Sequence, residues 1–206
     1  MLERPVIMVH CVGTIPAFTP GGVLPPYTGT SPANGAAMAP FSASMEQLAD
    51  RFGTSPARLC LLEGLLRYRA ALGSIGLTEG FQWVDGSFIE RIEATEGRDP
   101  RDIDVVTFYR RPPAMRNDAP AWRQMVNANM GLFRPEITRL TYNCDAYVVD
   151  LDAGSPSALV KQARYWFGLF SHKRVTSIWK GLLQVPIGTP TSDAAACAII
   201  AQRRVA

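Results

Sequence analysis

The sequence predicts an α/β chain of the α+β kind, a small mixed sheet flanked by helices. Three observations carry this. Helical apolar spacing runs through 45–74, 120–133 and 156–170, while β-rich runs occupy 81–85, 102–110, 141–151 and 177–187. The two patterns alternate along the chain, with no internal repeat. A length of 206 residues, with 47% hydrophobic and 19% charged, suits one domain with a sizeable core.

Composition narrows the setting. A formal charge of +3 is compatible with an anionic ligand but too slight to indicate nucleic acid. Cys11, Cys60, Cys144 and Cys197 lie far apart without a C-x-x-C pair. Cys60 and Cys144 sit in apolar patterns, which points to buried free thiols in a reducing compartment. Glu3 and Pro5 interrupt any signal-peptide pattern. No run reaches the roughly 18–20 apolar residues of a membrane helix. The expectation is a cytoplasmic protein with no membrane partner. Walker-type G-x-x-x-x-G-K-[ST], H-E-x-x-H, G-x-S-x-G and RNA-recognition signatures are missing. His10 and His172 are the only histidines, and neither is near a nucleophile in sequence.

Three regions follow. Residues 1–43 form an N-terminal arm: 1–12 could add one peripheral strand, and 13–40 is thick with Gly and Pro, an extended segment lying on the body. The body covers 44–190, and 191–206 is an alanine-rich helical tail with a basic end. In the body, Ser44 opens a helix with Gln47 completing a capping box, and Gly53 stops it. Thr54 or Ser55 with Pro56 then starts a longer helix to about Ser74. It is apolar over a wide arc, so it packs on more than one side, and Glu63 and Arg67 are spaced as an i,i+4 ion pair. Pro120 begins a helix with Trp122, Val126, Met130 and Phe133 at helical spacing. Residues 141–151 read as a strand rich in β-formers. Ser155-Pro156 caps the next helix, with Leu159, Ala163, Trp166, Phe167 and Phe170 inward. Over 177–187, alternation puts Trp179, Leu183, Val185 and Ile187 on one face, and Lys180 and Gln184 on the other.

The chemistry concentrates in 81–110. A short strand ends in Asp85-Gly86-Ser87, and after a polar crossover a second strand carries Asp102 and Asp104. Side chains alternate across a strand, so carboxylates at i and i+2 share a face. Two like charges side by side are costly to bury unless a cation sits between them. Mg²⁺ takes one or two carboxylates together with waters and substrate phosphates. Gly86 has no bulk, so backbone N–H groups there can approach an anion closely. A phosphate cradle followed by a carboxylate pair is the layout of a metal-assisted nucleotide site.

These residues resemble the nucleotidyltransferase superfamily with the DNA polymerase β-like fold, marked by Gly-Ser, a short helix, then Asp-x-Asp on the next strand. Within it the chain more closely resembles an uncharacterised bacterial nucleotidyltransferase-like branch. The matching residues are Leu24-Pro25-Pro26, the stretch 45–58, Trp83-Val84-Asp85-Gly86-Ser87-Phe88, Asp102-Ile103-Asp104-Val105-Val106 and Lys180-Gly181. Together they span about residues 24–187, although the run 88–101 is longer than the usual connection between the two motifs.

The resemblance implies a metal-dependent nucleotidyltransferase. It would move a nucleoside monophosphate from a nucleoside triphosphate such as ATP to a hydroxyl of a protein or RNA acceptor, in a toxin–antitoxin or phage-defence setting. Asp102 and Asp104 would hold Mg²⁺ or Mn²⁺ ions, with Asp102 as the bridge, and a third carboxylate would come from the adjoining strand. Asp145, Asp150 and Asp152 are the candidates there. Alternation separates Asp145 from the other two, and Asp145 lies mid-strand among apolar neighbours, where an unpaired charge is hard to justify. Asp150 and Asp152, at the strand's end, suit a solvated or capping role. Asp145 is therefore the choice, as metal ligand and base for the acceptor oxygen. Gly86 and Ser87 would hold the β- and γ-phosphates. Lys180 would pair with a triphosphate oxygen, although a solvated lysine is the commoner outcome. Arg91, Arg98 and Arg101 are further candidate contacts. The alternative is a catalytically silent nucleotide-binding or protein-interaction module with the same fold, and completion of the site by a partner protein or a homo-oligomer is left open.

Overall fold

Seven helices and one five-stranded sheet make up the computed structural model, which describes residues 13–174 and 176–205. The strand expected over 1–12, with His10 and Cys11, lies outside the described residues. Within the described residues, 13–43 pack on the body. Val23 and Leu24 are buried, Gly181 N–H donates to the Leu24 carbonyl, and the arm ends in strand β1 (Phe41–Ser42).

Ser44 and Gln47 form the reciprocal capping box, and α1 (Met45–Phe52) follows with Gly53 at its end. Ser55 caps α2 (Pro56–Ser74), Pro56 occupying its first position. Leu59, Leu62, Leu65, Tyr68 and Leu72 bury this helix over several sides. The expected Glu63–Arg67 pair does not form. Glu63 pairs with Arg204 at 2.7 Å, and Arg67 donates to the Thr141 carbonyl with its guanidinium over Tyr142. An exposed i,i+4 pair is worth only a few tenths of a kcal/mol, so partners brought by tertiary packing win.

Strands β2 (Gly80–Asp85), β3 (Ile103–Tyr109), β4 (Cys144–Asp150) and β5 (Leu183–Pro186) join β1 in the order β1-β5-β2-β3-β4. β2 runs antiparallel to β3 and β5, while β3–β4 and β1–β5 are parallel. The sheet is therefore mixed. On one face, α6 (Pro156–Phe170) sets Trp166 against Tyr147 and Phe167 against Trp83. On the other, α2 sends Arg69 to Gln82 and to the Pro186 carbonyl. Helix α3 (Ile92–Glu96) lies in the crossover. The tail becomes α7 (Pro190–Arg204), which packs on α1 and α2 and buries Ala196 and Ile200.

Several boundaries differ from expectation, and the β-rich run 177–187 is a strand only over β5. The helix expected over 120–133 is α4 (Ala119–Ala128), followed by a tight turn at 130–132. Then comes α5 (Pro135–Tyr142), unforeseen, which takes Thr141 and Tyr142 from the expected strand. Pro135 holds Arg134 in an extended conformation and so separates the two helices. Asn143 at φ 55° ends α5 and turns the chain into β4. Cys144 is buried as expected, but Cys60 and Cys197 are exposed. Among the described residues, no helix is long and apolar enough to cross a membrane.

Candidate functional site at one end of the sheet

Strand register assembles the site. Asp85 pairs across from Asp104, and Asp104 pairs across from Asp145. Directly opposed residues project from the same face, so three carboxylates stand in one row across β2, β3 and β4. Asp102, two positions before Asp104, flanks the row. Like charges set directly opposite one another repel. Burial is the main influence holding Asp104 up at about 6, with Asp102 and Asp145 adding to it.

The cations are distributed unevenly. Arg139, on α5, places Nη2 2.6 Å from Asp145 Oδ2 and Nε 3.2 Å from Asp102 Oδ2. Asp145 Oδ1 is buried with no hydrogen-bond partner among the described residues. Lys180 is only 3% exposed, so it is not the solvated lysine that is the commoner outcome. Its ammonium donates to Glu90 Oε1 at 2.7 Å and sits 2.9 Å from Asp85 Oδ1, there as an ion pair without hydrogen-bond alignment. Burial lifts Asp85 to about 7 despite the pull of Lys180. Burial also works against the charge on Lys180, but Asp85 and Glu90 outweigh it and hold its pKa above the ordinary lysine value. Lys173 continues the chain of charges, 2.8 Å from Glu96 and 3.6 Å from Glu90.

Gly86 has φ 84°, and a Cβ there would overlap Asp104 Oδ2. Its lack of a side chain thus makes room for the carboxylate itself. Gly86→Ala is expected to cost about 1–3 kcal/mol and to push Asp104 out of the row. Urea denaturation of the variant checks this, and unchanged stability would mean the Asp104 side chain simply turns aside. The long run 88–101 is anchored by buried Arg58 of α2, which donates to the Phe88 and Glu90 carbonyls and pairs with Glu93.

These groups line one cleft of about 500 Å³. Gly86, Ser87, Asp102, Asp104, Asp145 and Lys180 all reach it, as do Arg98 and Arg101. Arg91 faces a different hollow, beside Phe18 and Arg51. Asp150 and Asp152 are away from the cleft, paired with Arg111 at 2.8 Å and Arg110 at 2.9 Å. Sequence reasoning missed Asp85, Glu90, Arg139, Lys173 and Arg174 as lining residues. Six carboxylates (Asp85, Glu90, Glu96, Asp102, Asp104, Asp145) thus meet six cations (Arg98, Arg101, Arg139, Lys173, Arg174, Lys180), and the cleft is electrically balanced.

A hard divalent cation suits all-oxygen donors of this kind, and the unpartnered Asp145 Oδ1 is a free donor for one. Among the described residues no three acidic, His or Cys side chains already stand in a metal-holding arrangement. Between Asp102 and Asp145 the cation present is the guanidinium of Arg139.

Fold and cleft together define a mixed α/β protein with a charge-lined cavity at one end of its sheet. The chain belongs to a family of unknown function, DUF6932, whose model matches residues 16–186. Comparison with curated proteins and with solved structures gives no match.

Proposed function

We propose that the cleft is the site of a metal-dependent nucleotidyltransferase, on a version of the polymerase β-like fold, moving a nucleoside monophosphate from a nucleoside triphosphate to a hydroxyl of a protein or RNA. The observation that supports this most is the row of Asp104 and Asp145, flanked by Asp102 and with Gly86 against the Asp104 carboxylate. Asp102, Asp104 and Asp145 would hold Mg²⁺ or Mn²⁺, which when bound supplies charge neutralisation to the attacking and leaving oxygens. The chain's own part is positioning and electrostatics. Gly86 and Ser87 orient the β- and γ-phosphates, and Arg98 and Arg101 offset their charge. Asp145 takes the acceptor's proton as the acceptor oxygen bonds to the α-phosphorus. The bond from that phosphorus to the bridging oxygen breaks, and pyrophosphate leaves with the electron pair. Charge balance agrees with this. With all twelve charged groups ionised the cleft is neutral, so two divalent ions would leave an excess matching the about four negative charges of a triphosphate.

A second reading, a silent nucleotide-binding or protein-interaction module, draws on one observation. Arg139 and Lys180 already pair with Asp102, Asp145, Asp85 and Glu90. Calorimetric titration with the four nucleoside triphosphates separates the two, run with Mg²⁺ or Mn²⁺ and again with EDTA. Metal-dependent binding that is lost in Asp102→Ala/Asp104→Ala is the expected result. Binding unaffected by EDTA and by the double substitution would favour the silent module.

A further inference from the structure

Two of the cations paired with the cleft's carboxylates are held very differently. Lys180 is 3% exposed and fixed between Asp85 and Glu90. The Arg139 side chain is 49% exposed and comes from the last turn of α5 on a long stem. It can leave its partners without unpacking the core. Among the described residues no other cation pairs with Asp102 or Asp145. The cation nearest Asp104 is Arg174, at 3.9 Å.

We infer that Arg139 is the resident counter-ion of the unloaded cleft, holding the divalent cation's place between Asp102 and Asp145 and giving way when the metal binds. The inference rests on the reading of these carboxylates as a metal site. A divalent ion drawn between Asp102 and Asp145 meets the repulsion of the guanidinium that already holds Oδ2 of each. Metal entry there works against both ion pairs, which weakens binding of the metal alone. A bound polyanion offers the released guanidinium a new partner, since Arg pairs with phosphate as well as with carboxylate. Metal and polyanion should then strengthen each other's binding, a coupling that is reciprocal by necessity. Asp145 Oδ1, buried and unpartnered, is the donor the guanidinium leaves unused. A cation with higher coordination would use it.

The test is Mn²⁺ titration of the full chain followed by electron paramagnetic resonance, without nucleotide, on wild type, Arg139→Ala and Arg139→Lys. Arg139→Ala is expected to bind Mn²⁺ about tenfold tighter than wild type, and Arg139→Lys to stay near wild type because it keeps the charge. Equal or weaker binding by Arg139→Ala, with wild type still binding, overturns the inference and leaves the metal-site reading standing. Absence of Mn²⁺ binding in every variant overturns both. Should Arg139→Ala fail to fold, the wild type decides through its Arg side-chain N–H resonances, with Arg139 assigned from the Arg139→Lys spectrum. Mg²⁺ should shift the Arg139 Nε–H signal, and an unmoved signal at saturating Mg²⁺ sinks the proposal.

Discussion

Asp104→Asn is expected to give a protein that melts higher than wild type and no longer binds a triphosphate with metal. The two effects have one cause. Burial, then the neighbouring charges of Asp102 and Asp145, raise the Asp104 carboxyl to about 6 from an ordinary 3.8. A shift of about two units corresponds to ~3 kcal/mol against the ionised form in the metal-free fold. An amide of the same shape still fits against Gly86 but carries no charge. Allowing for the partial exposure of the carboxylate, the gain at pH 7.5 should be about 1–3 kcal/mol, or ~2–10 °C in melting temperature. The sign can be checked independently. Between pH 3.8 and about 6 the folded protein binds more protons than the unfolded chain, so this contribution is full at low pH and is lost as pH rises through about 6. Asp85, lifted to about 7, acts in the same direction. Metal-free wild type should therefore gain from these two groups as pH falls from about 7.5 to about 5, and Asp104→Asn should gain less. Melting curves in EDTA at both pH values decide it. An Asn variant that melts lower than wild type would mean the carboxylate is a satisfied structural anion.

What could be read from the sequence was whatever depends on near neighbours. Ser44, Gln47, Gly53, Ser55 and Pro56 fixed three helix boundaries because capping is a matter of three or four residues. Alternation in 141–151 separated Asp145 from Asp150, the apolar neighbours of Asp145 made the choice, and the strand register sets Asp145 beside Asp104. What escaped depends on distant partners. Asp85 was in plain view beside Gly86, yet its place opposite Asp104 follows from an antiparallel register across the long run 88–101. Lys180 found its partners in Asp85 and Glu90, and an alternation pattern cannot distinguish a solvated lysine from a buried pair. Helix α5 was hidden because it is eight residues long and ends in Thr141-Tyr142, both good β-formers; tertiary packing on α2 and β4 overrode that preference. With α5 went any sight of Arg139.

Lys180→Met is expected to destabilise the protein by about 3–5 kcal/mol at pH 7.5, the usual cost of leaving buried charge uncompensated. Methionine fits the space of the lysine stem, so the loss should come from Asp85 and Glu90 rather than from a cavity. That makes a second result predictable. Asp85 already titrates near about 7 with the ammonium beside it, and removing the ammonium moves it higher still. The folded variant can then shed the offending charge by binding a proton, so its deficit should shrink as pH falls from 7.5 to 5.5. Adding Asp85→Asn to Lys180→Met should recover part of the loss at pH 7.5 and weaken the pH dependence. Urea denaturation at the two pH values measures both. A loss under about 1 kcal/mol, with no pH dependence, would mean the three groups are not a charged cluster in solution. A buried ion pair adds little net stability over a well-packed apolar pair, so stability alone is a weak reason for Lys180 to lie at the end of this row. Its effect on Asp85 is a better one. A fixed ammonium offsets the carboxylate beside Asp104, which leaves Arg139 and Arg174 as the cations beside Asp102, Asp104 and Asp145.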